Sequence, residues 1–341
     1  MNRDAEWKKI LESHAEANFL QSPAYAKMHE LLGAKTITTD FDGKGWALMI
    51  RRDAKRGRYL EIPCGPLIDW GDKKLVREVF DRIAEVARQE KCVFVRIRPQ
   101  LMATDENMKL LAELGLKKAP MHLAAEHTVM LDLTLAEDEL LAGMRRQTRY
   151  EVRRAEKLGI YVTKSQKEAD FKEFHKVQME TAKRQGFVPP NLKTLMAEKE
   201  AFGEKAWIYT AKISSKNLPE GVTCDGNDEC PIAYGLIIGD GKEADYYEAA
   251  STELNHKLPG AYALLWQAMR DLKAEGCERF NLWGIAPAGQ TKHRYAGVTT
   301  FKTGFGGEVV EYVPAHDLVI SKVKYLKNLT VEKIRKKRRH L

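Results

Sequence analysis

The pattern that most constrains the fold occurs twice along the chain: a helix that ends at Glu-x-Cys, followed at once by a buried-looking strand. In the first half the helix signal 72–90 precedes QEKCVFVRIRP, and in the second half the helix signal 259–275 precedes AEGCERFNLWGIAP. A group of strand signals comes before each copy. Two copies of one αβ unit explain this pattern, although a chance alignment of two helix–strand pairs would also produce it.

The periodicity of apolar residues predicts a mixed α and β chain. Helix signals cover 4–15, 72–90, 105–114, 144–158, 167–184, 191–201, 259–275 and 318–337. Strand signals cover 34–40, 45–52, 58–62, 92–98, 126–132, 160–164, 206–213, 231–238, 244–250, 278–283 and 308–313. With 341 residues, 44% of them hydrophobic, the chain is long enough for two domains with full cores.

The positive charge is concentrated at the C-terminal end. Residues 319–341 carry nine Lys or Arg against one acid, Glu332, and so account for the whole formal net charge of +8. A basic tail on a balanced body indicates a patch for an anionic partner, such as RNA or a lipid headgroup. A solvated tail that keeps the protein in solution has the same composition.

Cysteine usage and hydropathy bear on the compartment. The cysteines are odd in number and scattered, which is typical of a reducing environment: Cys64, Cys92, Cys224, Cys230 and Cys277. The first residues carry no apolar signal-peptide core, and no apolar run approaches the ~18 residues that span a bilayer. These features predict a cytoplasmic protein.

The polar segment 212–230 lies between two strand signals and predicts a long hairpin loop. Its two cysteines, Cys224 and Cys230, have no CxxC spacing or neighbouring histidines, so a flexible loop is favoured over a metal clip.

No familiar catalytic signature is present. The chain has no GxSxG, HExxH or Walker A motif, and its histidines are scattered. This argues against hydrolase and metalloenzyme chemistry. It fits a transferase that works by positioning its substrates and stabilising charge.

Residues 144–160, MRRQTRYEVRRAEKLGI, predict a helix with a basic face. Its basic side chains recur at helical spacing or widen the same face: Arg145, Arg146, Arg149, Arg153, Arg154 and Lys157. Tyr150 and Val152 are expected to anchor the opposite side. Such a face suits a polyphosphate or RNA backbone, whereas a surface helix with internal ion pairs has a similar pattern.

In two further stretches, polar side chains lie where a helix or a strand is predicted to end. In ETAKRQGF, Arg184 and Gln185 end a helix, and Gly186 takes the position just after it. In CERFNLWGIAP, a strand is predicted to end at Gly284, with Asn281 and Trp283 on one face. An ordinary helix end and an ordinary buried strand account for these patterns equally well.

The stretch VTTFKTGFGGEVVEYV places Lys302 between Phe301 and Phe305 and beside several glycines. A lysine in a partly apolar setting is unusual, and glycines allow backbone N–H groups to converge on an anion. The alternative is a glycine-rich hairpin with an exposed lysine.

Taken in order, these stretches resemble the Fem family of aminoacyl-tRNA-dependent peptidyltransferases, which build the cross-bridges of peptidoglycan. The matching pieces run from about residue 18 to 313: NFLQSPAYAKMHELLG, IPCGPLIDW, TRYEVRRAEKLGI, TAKRQGF, PIAYGLI, DYYEAAS, LPGAYALLWQAM, FNLWGI and TTFKTGFGGEVVEY.

The resemblance implies an α+β fold of two acetyltransferase-like (GNAT) domains related by internal duplication. The first would comprise 1–136 with the returning C-terminal helix in 312–341, and the second 137–311. The long coiled-coil arm of some members is not expected, since no heptad region appears. The chain therefore resembles the shorter members, which act on nucleotide-linked precursors.

The resemblance also implies partners and roles. Lys302 matches the lysine beside the 3′ end of aminoacyl-tRNA, and the basic helix would contact the tRNA. The acceptor would be UDP-MurNAc-pentapeptide or lipid II, and its own amine is the nucleophile, so no metal or other cofactor is implied. The positions that correspond to substrate-binding ones are Lys27, Arg98, Arg184, Lys193, Tyr246 and Glu248. The basic C-terminal helix allows a peripheral contact with the inner membrane face.

Three positions depart from the pattern of the shorter members. Lys193 stands in for an arginine that binds substrate phosphate, Arg98 replaces an aspartate before proline, and Glu248 replaces an aromatic residue. All three lie where the family holds its precursor, so they bear on the acceptor rather than on the reaction class.

Two rival functions remain open. The first is a GNAT enzyme that uses acyl-CoA, although no strand-to-helix loop of the R/Q-x-x-G-x-G/A kind is present. The second is a non-enzymatic protein that binds RNA or a membrane surface through 144–158 and 319–341, for which Lys302 would be dispensable.

Overall fold

The computed structural model describes residues 3–224, 228–290 and 292–339. The chain divides into two compact units, residues 1–126 with 311–341 and residues 127–310. The helices are α1 Arg3–Ser13, α2 Pro23–Leu31, α3 Lys73–Gln89, α4 Asp105–Glu113, α5 Glu137–Gly143, α6 Arg146–Lys157, α7 Glu168–Gln185, α8 Leu192–Phe202, α9 Gly260–Ala274, α10 Ala296–Thr303 and α11 Lys322–Arg339. The strands are β1 Lys35–Asp40, β2 Gly45–Ala54, β3 Gly57–Pro63, β4 Leu67–Ile68, β5 Cys92–Arg98, β6 Lys117–Lys118, β7 His127–Asp132, β8 Tyr161–Ser165, β9 Ala206–Ser214, β10 Glu229–Asp240, β11 Glu243–Ser251, β12 Arg279–Asn281, β13 Glu308–Glu311 and β14 His316–Val319.

The first unit is built on a mixed sheet with the order β1-β2-β3-β5-β14-β6, in which β4 adds to β2. Strands β1, β2 and β3 form an antiparallel meander, β5 runs parallel to β3, and β14 is antiparallel to β5. Helix α3 buries an apolar stripe at helical spacing that includes Leu75, Val79 and Ile83, and this stripe packs in the core that β3 and β5 also supply.

The second unit repeats this plan on a sheet with the order β13-β7-β12-β11-β10-β9-β8. Strands β8 to β11 form the antiparallel meander, β12 runs parallel to β11, and β7 is antiparallel to β12. Helix α9 contributes Leu264, Ala268 and Leu272 to the core of this unit.

The repeat seen in the sequence is therefore a structural repeat. In both units a helix crosses from the last strand of the meander to a parallel strand, as β3–α3–β5 and as β11–α9–β12. Both crossing helices end in the same way, because Lys91 and Gly276 each take a positive φ between the helix and the cysteine. A left-handed residue at this point ends a helix, and it turns the chain into the next strand.

The C-terminal segment differs from its prediction at its start. The predicted helix 318–337 begins later, at Lys322, because His316–Val319 form strand β14 on the sheet of the first unit. Helix α11 packs on the same sheet, since Tyr325 is buried against Phe94.

Two local predictions on the second unit need correction. Strand β12 stops at Asn281, so Trp283 does not continue the predicted strand 278–283. Cys224 and Cys230 form a disulfide at the end of the β9–β10 hairpin loop, which the scattered cysteines and the flexible loop did not suggest. Among the described helices, none is long and apolar enough to cross a membrane.

Candidate active site

Lys302 lies in helix α10 rather than in a hairpin. The helix ends at Thr303, and the N–H groups of Gly304, Phe305 and Gly306 donate to the carbonyls of its last turn. The N–H groups of Gly304 and Gly306 are therefore engaged within the fold, and these two glycines do not turn their N–H groups toward a common anion site as predicted. Glycine is needed here for packing, since a Cβ on Gly306 would lie 2.8 Å from the carbonyl oxygen of Gly143.

The ammonium group of Lys302 is buried, and among the described residues it donates to one acceptor. Its Nζ donates to the carbonyl oxygen of Gly284 at 2.9 Å, and it lies 5.8 Å from the centre of the Tyr246 ring. Lys302 is 8% exposed, and burial lowers the pKa of its ammonium to about 7. The ammonium and the neutral amine are therefore both accessible near neutral pH.

Aromatic rings surround helix α10 beside the lysine. Phe301 and Phe305 meet edge to face with ring centres 5.3 Å apart, and both contact Tyr262 of α9. The prediction of an apolar setting for Lys302 is confirmed. Such a setting strengthens any electrostatic interaction that the ammonium makes.

The carbonyl that accepts from Lys302 is positioned by a tight turn after β12. The side-chain oxygen of Asn281 accepts from the N–H of Trp283 at 2.9 Å, which supports the positive φ of 61° at Trp283. The hydroxyl of Thr128 in β7 shares its single proton between the same Asn281 oxygen and the Trp283 carbonyl. The FNLWGI stretch thus turns the chain so that Gly284 presents its carbonyl to Lys302.

Lys302 borders a cavity of about 180 Å³ that lies wholly within the second unit. Its lining brings together helices α7, α9 and α10 with strand β11. The lining residues are Thr181, Gln185, Ala233, Tyr246, Tyr247, Glu248, Ala249, Ala250, Ser251, Asn255, Ala261, Val298, Phe301 and Lys302. Of the predicted site residues, the fold brings Lys302, Tyr246 and Glu248 to this one cavity.

Arg184 lies next to the cavity wall. Its guanidinium donates to the carbonyl oxygen of Ser251, lies 3.4 Å from the hydroxyl of Thr181, and pairs with Glu253 at 3.2 Å. Gly186 follows with a left-handed φ of 72°, as predicted for the residue that ends this helix.

Two polar residues beside Glu248 were not singled out in the sequence. Gln178 of α7 donates to the Glu248 carboxylate at 2.7 Å, and Glu198 of α8 is 2% exposed. A sequence signal for Glu198 does exist, because it lies three residues after Leu195 and four before Phe202 on the buried face of α8. A carboxylate on an apolar stripe is unusual, and it indicates a site.

The carboxyls of this pair are shifted toward their protonated forms. Burial raises the pKa of Glu248 to about 7, although the hydrogen bond from Gln178 opposes this shift. Burial and then the charge of Glu248 raise the pKa of Glu198 well above its usual range. Near neutral pH, a proton is therefore retained at this pair.

The predicted basic helix is confirmed as α6, and its basic residues divide into two groups. Arg145, Arg149 and Arg154 donate to main-chain carbonyls of Thr300, Ala142 and Lys257, respectively. The other three basic residues, Arg146, Arg153 and Lys157, are exposed.

Tyr150 is exposed among the basic residues of α6, so its predicted packing on the opposite side is wrong, whereas Val152 is buried as predicted. An open basic hollow on one helix face is lined by residues of both groups and by Tyr150: Arg146, Arg149, Tyr150, Arg153, Arg154 and Lys157.

The remaining predicted site residues lie elsewhere. Lys193 is exposed in the first turn of α8, and Lys27 is exposed on α2 of the first unit. Arg98 is 1% exposed at the end of β5, where its guanidinium donates to Cys64 at 2.7 Å and to Gln100 and lies over the Tyr312 ring. Over the described parts of the chain, no three His, Cys, Asp or Glu side chains form a group that could hold a metal ion.

Curated proteins that are similar in sequence include FemA aminoacyltransferases. The chain is 28% identical over 166 residues to "Aminoacyltransferase FemA" of Staphylococcus epidermidis, a match that covers 48% of this chain and 38% of that protein. It is 27% identical over 108 residues to "Aminoacyltransferase FemA" of Staphylococcus aureus, covering 32% and 26%. The chain thus matches less than half the length of these curated relatives.

Solved structures share the whole fold. The crystal structure of FemX superposes with a TM-score of 0.83 at 18% identity, covering 96% of this chain and 98% of that one. A tandem GNAT protein from the clavulanic acid biosynthesis pathway gives 0.52 at 12% identity, with 94% and 96% coverage. The predicted architecture of two GNAT-like domains is thereby confirmed. The model of the FemAB family matches residues 3–223 and 215–333, so this chain belongs to the FemAB family.

Proposed function

We propose that this protein transfers an amino acid from aminoacyl-tRNA to the side-chain amine in the stem peptide of a peptidoglycan precursor. Membership of the FemAB family and the similarity to FemA aminoacyltransferases support the reaction class. The observation that carries the proposal is the buried ammonium of Lys302 at a cavity lined by polar side chains.

Lys302 would act on the leaving group of the transfer. When the amine attacks the ester carbonyl, negative charge develops on the carbonyl oxygen and then on the departing ribose oxygen. A cation held in a water-poor site stabilises that charge more in the transition state than in the ground state. Because burial lowers the pKa of Lys302 to about 7, its ammonium is also a competent proton donor to the ribose oxygen near neutral pH.

The exposed basic residues of α6 would bind the tRNA backbone. Arg146, Arg153 and Lys157 offer charges for phosphates, and the exposed Tyr150 offers a ring on which a base can stack. The carbonyl contacts of Arg145, Arg149 and Arg154 would hold the helix and its entry turn in place for that role.

The precursor would be nucleotide-linked, as UDP-MurNAc-pentapeptide, or lipid-linked, as lipid II. Tyr246 and Arg184 at the cavity, with the exposed Lys27 and Lys193, are the proposed contacts. Arg98 is buried, so a direct contact with the precursor would require its side chain to become accessible. These substrates imply a cytoplasmic location, with the basic C-terminal helix available to anionic lipid at the membrane face.

The central test is single-turnover transfer from charged tRNA by Lys302→Ala. Loss of one preorganised electrostatic contact typically costs about 10²–10³ in rate, and we expect a loss of that size with little change in acceptor affinity. Lys302→Arg should restore the rate only in part, because the guanidinium is larger and spreads its charge. Lys183→Ala, which removes an exposed lysine from α7, is the matched control. Wild-type transfer by a folded Lys302→Ala protein would refute the assigned role.

The tRNA surface is tested by the pair Arg153→Glu and Lys157→Glu. We expect weaker tRNA binding and a shallower dependence of affinity on salt, because fewer counterions are released when fewer phosphates are contacted. The reversals Lys73→Glu and Arg77→Glu on α3 have the same spacing and charge change, and they serve as the control. Equal affinities for both pairs at low and high salt would mean that α6 is only a solvated surface.

A further inference from the structure

Three polar side chains beside the cavity form a cluster that is rich in hydrogen-bond acceptors. They are Gln178 of α7, Glu198 of α8 and Glu248 of β11. Glu248 lines the cavity, and Gln178 and Glu198 are 3% and 2% exposed. We call these three side chains the acidic corner.

Among the described residues of the acidic corner, hydrogen-bond acceptors outnumber donors. The carboxylate of Glu248 receives one hydrogen bond, from Gln178, at 2.7 Å. The single side-chain oxygen of Gln178, Oε1, and Oε2 of Glu198 have no hydrogen-bond partner among the described residues. A buried acceptor without a donor costs free energy, so the corner is complementary to a ligand that brings several N–H donors.

The acidic corner also lacks a countercharge of its own. Lys302 borders the same cavity but donates to Gly284, and Arg184 on α7 pairs with Glu253. The buried carboxyl of Glu198 and the half-buried carboxyl of Glu248 retain a proton near neutral pH, and they would release it if a cation came close. A primary ammonium supplies both the positive charge and three donors.

We propose that the acidic corner binds the primary ammonium group of the acceptor substrate, and that Glu248 accepts a proton from it so that the free amine can attack the ester. This inference rests on the proposed function and names the acceptor class, a primary alkylamine. Glu198 and Gln178 are positioning residues, which support Glu248 from the buried side.

The proton and electron pairs balance within this scheme. The ammonium nitrogen gives one proton to the Glu248 carboxylate, and the freed lone pair forms the new N–C bond at the ester carbonyl. The C–O bond to the ribose breaks, and the second proton from nitrogen ends on the ribose oxygen. Glu248 returns its proton to solvent after product release, and no other reactant is required.

The test compares two acceptors in single-turnover transfer. One is a lysine-containing UDP-MurNAc-pentapeptide, and the other is the same molecule with the side-chain amine replaced by an aminooxy group. The alkylamine is mostly protonated at pH 7 and needs a base, whereas the aminooxy nitrogen is neutral there and does not. For Glu248→Gln we expect a rate about 10²–10³ lower with the alkylamine and little change with the aminooxy acceptor.

The controls separate base catalysis from other roles. Glu180→Gln removes an exposed carboxylate from α7 and should leave both rates unchanged. Glu198→Gln should lower the alkylamine rate alone, and by a smaller factor. If Glu248→Gln lowers both rates equally, the acidic corner either stabilises the fold or binds the α-ammonium of the aminoacyl ester. That result, or no loss at all, would overturn the inference.

Calorimetry distinguishes this failure from failure of the proposed function. The wild-type protein should bind the lysine-containing precursor more tightly than the same precursor with an acetylated lysine, and Glu248→Gln should lose that preference. If the wild type binds the unmodified precursor more tightly but transfers no amino acid to it, the proposed function is refuted and the ammonium site is supported. If the wild type binds both precursors equally, the ammonium site is overturned.

Discussion

Each unit contains a buried basic side chain, but among the described residues only the one in the first unit is paired with carboxylates. In the first unit, Arg96 of β5 is 5% exposed and holds Asp317 of β14 with two hydrogen bonds of 2.8 and 2.9 Å. It also pairs with Glu332 of α11 at 2.8 Å. In the second unit, Lys302 is 8% exposed and donates to a single carbonyl.

The pKa values of the two basic groups express this contrast. Burial alone would lower the pKa of Arg96, but the hydrogen bonds and charges of Asp317 and Glu332 raise it above its usual value. Burial of Lys302 meets no such compensation, so the pKa of its ammonium falls to about 7. Arg96 is therefore a fixed charge, whereas Lys302 can gain or lose its proton.

The difference in pairing indicates that the buried charge of Arg96 has a structural role and that of Lys302 a functional one. The network around Arg96 joins β5, β14 and α11, and it fastens the C-terminal segment to the sheet. In the second unit, Lys302 and Glu248 border one cavity, and neither is paired with an opposite charge among the described residues. Uncompensated groups of this kind are typical of sites that await a ligand.

The largest expected effect is on the compensated side. Asp317→Asn removes the main countercharge of Arg96 and leaves a buried guanidinium partly unpaired, which typically costs about 3–5 kcal/mol of the free energy of unfolding. The loss should appear in the first unit as faster hydrogen exchange of the β5 amides and a lower urea midpoint.

Asp53→Asn is the matched control for this change. Asp53 pairs with Arg51 and Arg58, but its side chain is 54% exposed, and such surface pairs contribute about 0–1 kcal/mol. If both substitutions lower the free energy of unfolding by the same amount, the network around Arg96 does not fasten β14 and α11. The buried charge of the first unit would then have no structural role that distinguishes it from Lys302.

The next effect has the opposite sign and concerns Lys302→Met. The pKa of Lys302 is lower in the folded than in the unfolded protein, so between about pH 7 and pH 10 the unfolded state binds more protons. Wild-type stability therefore rises with pH through this window, and the cost of burying the charge is greatest below it. We expect Lys302→Met to stabilise the second unit by about 2–4 kcal/mol more near pH 6 than near pH 10.

Urea unfolding at the two pH values measures this difference. Lys193→Met should show no such dependence, because the Lys193 ammonium stays in water. A methionine variant that is less stable than the wild type near pH 6 would show that the ammonium of Lys302 is compensated in the fold. Lys302 and Arg96 would then both be buried charges that the fold compensates.

The sequence predicted features that depend on local pattern. The two crossing units were visible because the helix, the Glu-x-Cys end and the apolar strand are contiguous in each copy. The basic face of α6 followed from helical spacing, and Lys302 stood out because its neighbours are apolar.

Features that depend on contacts distant in sequence were not predictable. Glu198 and Glu248 are 50 positions apart and meet only because α8 and β11 pack in one unit. The turn at Trp283 depends on the side chain of Asn281, which competes with the strand for a backbone N–H. Strand β14 is four residues long and exists because β5 offers it a partner edge.

The smallest expected effect sharpens the structural half of the comparison. Tyr325 of α11 donates its hydroxyl to Asp317 at 3.0 Å and packs its ring on Phe94 with centres 5.6 Å apart. Tyr325→Phe keeps the ring and removes the hydroxyl, and a hydrogen bond to a charged group contributes about 1.5–3 kcal/mol to the free energy of unfolding. If the charge network fastens α11, this loss should be smaller when Asp317 is already asparagine, because the hydroxyl then meets a neutral amide oxygen instead of a carboxylate. A double-mutant cycle measures that coupling. A loss of the same size in both backgrounds would mean that ring packing alone holds α11. The buried charge of Arg96 would then not help to hold its unit together, and in this respect Arg96 would resemble Lys302.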